Sequence, residues 1–275
     1  MTPGSEPGRG RAASGSGARY LWGTMNDDLL ESLRRARHVA VLTGAGVSAE
    51  SGLPTFRDAL TGLWANHRPE DLATPEAFER NPAMVWDWYR MRREAALRAE
   101  PNPAHLALAR LEELVPRVTL VTQNVDGLHR RAGSRTVIEL HGDITRVRCS
   151  HENVAAGEWT EPPPGGEPPT CTGCGSYLRP DVVWFGEALP EKALHRAWAA
   201  AYDCEVFLAV GTSNLVEPAA TLPWLAAAQG AIVVVVNTTM EGQRSGTGVH
   251  HLTGTAGEVI PGLLEAAFPH YIPRP

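Results

Sequence analysis

A chain of 275 residues, 43% hydrophobic and 20% charged, can bury a full core and has none of the bias of a fibrous or disordered protein. Its formal charge of −6 argues against nucleic acid as a partner. No apolar run approaches the ~20 residues that cross a bilayer, and the N-terminal stretch lacks the apolar region of a secretory signal, so a cytoplasmic, monomeric protein with no membrane partner is expected.

Lys192 is the one lysine among the basic residues, a bias of GC-rich, bacterial genomes. The four cysteines, in a reducing compartment, point to metal rather than disulfides.

Residues 1–24, rich in Gly, Ser, Arg and Pro, read as a disordered tail. A helical pattern follows over 27–37. The runs at 38–43, 118–122, 205–210 and 231–236 are short, β-branched and continuously apolar, as expected of parallel strands covered on both faces. Helical patterns at 103–115 and 217–229 lie between them. This alternation predicts an α/β fold with a doubly wound, mostly parallel, Rossmann-like sheet over 25–52, 99–147 and 181–275. Two insertions break the rhythm. Residues 53–98 hold a proline-punctuated loop and a long helix from about Pro82; residues 148–180 are loop-rich, with three of the four cysteines and a Glu161-Pro162-Pro163-Pro164 run. Together they predict a smaller second domain, part helical and part zinc-ribbon-like, with ligands bound in the cleft between the two.

The first strand runs into Thr43-Gly44-Ala45-Gly46-Val47-Ser48-Ala49. Glycines there let backbone approach a pyrophosphate, and a following helix N-terminus would favour its charge. A tight strand-to-helix turn has the same needs. The dehydrogenase version of this motif is disfavoured, because no second strand ending in an acid follows at ~20 residues. Instead the chain continues Gly52-Leu53-Pro54-Thr55-Phe56-Arg57. Further on come Thr122-Gln123-Asn124-Val125-Asp126-Gly127-Leu128-His129, Glu139-Leu140-His141-Gly142, Val183-Trp184-Phe185-Gly186-Glu187, Gly211-Thr212-Ser213 and Asn237.

In this order the motifs resemble those of the sirtuin family across roughly Asp27 to Phe268. The resemblance implies an enzyme that consumes NAD to deacylate lysine side chains of proteins, giving nicotinamide and an O-acyl-ADP-ribose. It assigns His141 as the general base, a role suited to an imidazole near neutral pH. It also implies that NAD is held by Gly44, Ala45, Gly46, Ser48, Thr55, Phe56, Arg57, Trp64, Gln123, Asn124, Asp126, Gly211, Thr212, Ser213, Asn237 and Ala256. A substrate peptide would pair as a strand beside Val183, Trp184, Phe185 and Gly186, themselves strand-like. An NAD glycohydrolase or mono-ADP-ribosyltransferase, and a non-catalytic nucleotide-binding module, are the alternatives.

Two features bear on specificity and metal. Tyr89 and Arg92 lie three apart, on one helix face, and a phenol with a guanidinium suits a carboxylate. The pair, with Ala73, resembles that of sirtuins that remove malonyl, succinyl and glutaryl groups, and acetyl removal is expected beside it. For a structural zinc the family uses two cysteine pairs. Cys171 and Cys174 form one; Cys149 stands without its partner, whose position holds Glu152, and the fourth ligand is open, with His151 a candidate.

Overall fold

The computed structural model describes residues 19–20, 23–54, 68, 71–156, 160–240, 243 and 245–270. Thr55, Phe56, Arg57, Trp64 and most of the N-terminal tail lie outside these residues. Within the tail, β1 (Arg19–Tyr20) pairs antiparallel with β2 (Gly23–Thr24).

The sheet follows from strands with two apolar faces. Every residue of β3 (His38–Thr43) is buried, and its side chains alternate between two cores. Val39 and Val41 join one core with leucines of α1 (Asp27–Arg35), α4 (Pro103–Leu114) and α8 (Ala256–Ala267), while Ala40 and Leu42 meet α6 (Glu191–Asp203) and α7 (Leu222–Ala228). β4 (Arg117–Thr122), β8 (Val206–Val210) and β9 (Ile232–Asn237) alternate likewise. With β5 (Val137–Glu139) and β10 (Val249–Thr253) they form a six-stranded sheet in the order β10-β9-β8-β3-β4-β5, every pairing parallel. The four central strands match the sequence reading. β5, β10, α6 and α8 add to it.

In sheet sequence this is the strand order 3-2-1-4-5-6 of a Rossmann sheet, whose switch point falls between β3 and β8. There the two outgoing loops interlock. Gly44 N–H donates to Val210 O at 3.1 Å, Gly46 N–H to Gly211 O at 2.8 Å, and Gly211 N–H to Val236 O at 2.9 Å. A Cβ on Gly46 would stand 2.8 Å from Gly211 Cα, and Gly211, at φ +60°, is packed against the backbone of Gly46 and Val47.

Beyond Leu53 the small module begins. α2 (Pro75–Arg80) and α3 (Pro82–Arg98) each start on an asparagine or threonine cap followed by proline. They pack on an antiparallel pair, β6 (Gly142–Cys149) and β7 (Leu178–Val182). Both strands cross the positions, 147/148 and 180/181, where the sequence reading divides the two units. The proline-rich loop is held to α3 by hydrogen bonds: the Trp86 indole donates to Glu161 at 2.7 Å, Arg93 to the same carboxylate at 2.5 Å, and Gly165 N–H to Asp87 at 2.6 Å.

The interlock predicts a contrast between two glycines with positive φ. Gly211→Ala should cost more than about 2 kcal/mol, adding backbone clash to the left-handed penalty. Gly52→Ala, at φ +78° with open space around its Cβ, should cost only about 1 kcal/mol. Equal losses on urea denaturation would contradict this account.

Candidate functional site

The carboxyl ends of β3, β4, β5 and β8 meet the small module, and most of the described candidate residues gather there. After β3 the chain makes a 3-10 turn, Ala45–Ser51, closed by Gly52 in the left-handed region. The α-helix expected at this point does not form, and the N–H groups of Gly44 and Gly46 are spent on the carbonyls of the neighbouring loop. The glycines here serve the backbone crossing first.

Ser48 is the hub of a buried polar network. Its hydroxyl donates to Asp126 Oδ2 at 2.7 Å and accepts from Asn124 Nδ2 at 3.0 Å, with His105 Nε2 at 3.4 Å. The other Asp126 oxygen accepts from Leu128 N–H at 2.9 Å. His105 belongs to the capping box of α4, its Nδ1 accepting from Asn102 N–H at 3.3 Å, so its proton sits on Nε2, toward Ser48. His129 packs tilted against His105, ring centres 4.7 Å apart, and shares a 2.9 Å hydrogen bond with Thr43, whose hydroxyl donates to Thr122. Thr122 in turn accepts from Asn124 N–H.

Burial holds both histidines neutral: His105 is pushed down to about 4, and His129 lies well below the ordinary value. Burial also raises the Asp126 carboxyl, against the bonds from Leu128 and Ser48. His105 does not stand out in the sequence, where the Asn102-Pro103-Ala104-His105 capping pattern is the available signal; Thr43, Thr122 and His129 lie within the quoted motifs, but their mutual hydrogen bonds are not visible there.

His141 stands half-buried beyond β5. Its Nδ1–H donates to the Gln123 carbonyl at 2.9 Å, which leaves the lone pair on Nε2. Burial lowers its pKa, opposed by that bond. Its own carbonyl accepts from Val183 N–H at 2.9 Å, setting His141 beside the 183–186 segment. Gly142, at φ +83°, turns the chain where a Cβ would strike the Asp181 carbonyl. Farther along the rim, Gln123 Nε2 donates to Thr212 Oγ1 at 3.1 Å and Asn237 Nδ2 to Thr212 O at 3.1 Å, so these three come together with Gly211 and Ser213. Ala256 is buried at the start of α8, where Glu50 accepts from Gly257 N–H at 2.7 Å.

The segment read as a strand over 183–186 is instead the turn that follows β7, because Glu187 accepts from Trp184 N–H at 2.7 Å and Gly186 adopts φ +87°. Phe185 N–H pairs with Ala73 O at 2.9 Å. Ala73, Tyr89 and Trp184 share one apolar cluster, and the Arg92 guanidinium lies 4.6 Å from the Trp88 ring centre and 5.7 Å from that of Tyr89. Burial pushes the Tyr89 phenol up to about 12, keeping it a donor.

Cys149, Cys171, Cys174 and Glu152 bring their ligand atoms within 4.8 Å of one another. His151, exposed beside Cys149, is not in that group; the carboxylate one residue later takes the place. The spacing is compatible with a structural zinc, whose tetrahedral ligands at ~2.3 Å stand about 3.8 Å apart.

Comparison with known proteins fits this geometry. The family model described as "Sir2 family" matches residues 44–218. The chain belongs to the Sir2 family. It is 53% identical over 247 residues to the NAD-dependent protein deacylase of Methylococcus capsulatus, covering 88% of this chain and 96% of that one. The NAD-dependent protein deacylase 1 of Pseudomonas aeruginosa is 53% identical as well, with 88% and 98% covered. Among solved structures, a Sir2 homolog–NAD complex superposes with a TM-score of 0.82 at 42% identity, over 90% of this chain and 96% of that one.

The buried network predicts an acid-side loss of stability. Because the folded His105 pKa lies near 4 and the unfolded one near 6.5, the unfolded chain takes up its proton first as pH falls. That contribution to stability is complete above pH ~6.5 and falls by about 3 kcal/mol as pH drops toward ~4. His105→Asn should flatten this dependence in urea titrations at pH 7 and 5; parallel curves for the two proteins would count against it.

Proposed function

We propose that this Sir2 chain is an NAD-dependent protein-lysine deacylase that removes acetyl groups and, through Tyr89 and Arg92, acidic acyl groups such as succinyl and malonyl. The observation that carries the reading is His141 held by the Gln123 carbonyl with its Nε2 lone pair available, beside the turn at Val183.

NAD, when bound, supplies a ribose carbon that becomes electrophilic as nicotinamide leaves. Asn124 and Asp126, fixed by Ser48, would hold the nicotinamide amide and its ribose. Gly44, Ala45, Gly46, Gly211, Thr212, Ser213, Asn237 and Ala256 would line the rest of the dinucleotide, and Thr55, Phe56, Arg57 and Trp64 are assigned to it on sequence grounds. His141 Nε2 takes the proton of a ribose hydroxyl, and its neutral state, favoured by burial, keeps it a base at pH 7. The products are nicotinamide, free lysine and an O-acyl-ADP-ribose. The peptide would lie along residues 183–186, with its acyl chain reaching past Ala73 to the Tyr89 hydroxyl and the Arg92 guanidinium.

The cysteine cluster would hold zinc through Cys149, Cys171, Cys174 and Glu152. A carboxylate in place of a fourth thiolate makes a harder, weaker site for a borderline-soft ion.

One peptide bearing acetyl-, malonyl- or succinyl-lysine should release nicotinamide only when acyl-lysine and NAD are both present, and His141→Ala should slow this by 10² to 10⁴, roughly the worth of a general base. Arg92→Met should lower the ratio of succinyl to acetyl turnover at least tenfold, the loss of one charge-assisted contact. If no acyl-lysine stimulates nicotinamide release, the deacylase reading fails. For the metal, Glu152→Cys should hold zinc against a chelator longer than the wild type and Glu152→Ala less long, as read by metal content; identical retention would remove Glu152 from the site.

A further inference from the structure

Trp184 carries a buried polar group that no residue satisfies. Its side chain is 3% exposed, and among the described residues the indole Nε1–H has no hydrogen-bond partner. A buried donor left unpaired is destabilising, so an orphan held in place in a binding region calls for a ligand that completes it.

The ring is held firmly. Trp184 N–H is bound by Glu187 at 2.7 Å; Glu187 is in turn paired with Arg179 at 2.5 and 2.8 Å; and Arg179 also donates to Val182 O at 2.8 Å. Phe78 packs at 5.3 Å from the indole and Tyr89 at 6.3 Å, on the side of the acyl pocket. The indole N–H faces the Tyr89 hydroxyl closely enough to favour the phenolate, yet forms no hydrogen bond with it. The indole N–H is therefore still free to donate, and the Tyr89 hydroxyl, kept protonated by burial, is a second donor beside it.

Two guanidinium groups and one carboxylate flank the pair, a net positive balance that comes from Arg92. The Arg179 guanidinium lies 3.3 Å above the Trp184 ring, where it draws electron density from the indole and strengthens the N–H as a donor. The Arg92 guanidinium lies 5.7 Å from the Tyr89 ring centre, and the carboxylate facing the phenol, Glu187, is paired with Arg179.

We propose that Trp184 Nε1–H donates to the terminal carboxylate of an acidic acyl group, making a three-donor site with the Tyr89 hydroxyl and the Arg92 guanidinium. The inference rests on the acidic-acyl reading above and deepens it: Tyr89 and Arg92 supply two donors from one helix face, and Trp184 supplies a third from the turn after β7. A carboxylate has about four acceptor positions, so three donors can bind it without displacing one another. The neutral carboxamide of the same shape would set its NH₂ against N–H donors and be rejected.

The test compares a peptide bearing succinyl-lysine with the same peptide bearing its carboxamide isostere, by kcat/KM with NAD. The enzymes are the wild type, Arg92→Met, Trp184→Phe, and protein with β-(3-benzothienyl)alanine at position 184, which keeps the bicyclic ring and lacks the N–H. The expected result is that the carboxylate-to-carboxamide ratio falls about tenfold in both position-184 variants, mostly through KM, because the contact is remote from the reacting atoms. A packing role alone would lower turnover of both peptides together and leave the ratio where it was. If the ratio falls for Arg92→Met but holds in both position-184 variants, the acidic-acyl reading stands and Trp184 is not a donor. If the wild type shows no preference for the carboxylate, the acidic-acyl reading itself is wrong and this inference falls with it.

Discussion

The site depends on the place where the loops leaving β3 and β8 cross. Gly44 and Gly46 run against Gly211 and Thr212 so closely that no side chain fits on any of the three glycines. The crossing sets the switch point of the sheet, and with it the height at which Ser48, Gln123, Thr212 and Asn237 stand. Gln123 shows how far this reaches: its side chain is tied to Thr212 at the end of β8, and its carbonyl orients His141 at the end of β5. Three strand ends are thereby fixed relative to one another by hydrogen bonds near 3 Å.

The crossing places the groups, and burial sets their protonation. The neutral forms of His105 and His129 are those compatible with the hydrogen bonds observed: His105 must accept from Asn102 on one nitrogen and face Ser48 with the other. Protonating either ring would place a cation in an apolar interior. Ser48 receives from His105 and Asn124 and gives its proton to Asp126, which uses every hydrogen-bonding capacity of one hydroxyl. A serine at this position is therefore doing the work of an orienting group for two residues whose contact with NAD is proposed. Alanine there would leave Asn124 and Asp126 each short of a partner.

Much of the fold was legible because the central strands are apolar on both faces, which few other structures demand. β5 was not, at three residues, and the Val-His-His-Leu-Thr of β10 mixes polar residues into an edge strand that is covered less completely. The motif residues around His141 were legible as an ordered set, and their roles came from the resemblance. The supporting residues were not. His105 reads as an ordinary member of an amphipathic helix, Arg179 belongs to no motif, and Glu187 ends one without an assigned role, because what marks them is burial and mutual contact across the chain. Glu152 illustrates the reverse: the broken cysteine pair was visible, but which neighbour replaced the missing thiol depended on how the turn after Cys149 folds back.

α3 connects the two parts of the small module whose functions are proposed separately. On one face Trp86 packs with Cys149, Val147 and Leu178, the cluster beside the cysteine site; on another Trp88 and Tyr89 pack with Ala73, Val182 and Trp184, where the acyl chain is proposed to lie. A 17-residue helix is close to rigid over this length, so movement of the metal-side cluster is transmitted to Tyr89 as displacement rather than absorbed between. The hydrogen bonds from Trp86 and Arg93 to Glu161 tie the proline-rich loop to that same helix. The register of the Tyr89–Arg92 pair against the Trp184 turn therefore depends on how firmly the cysteine-bearing loop is held.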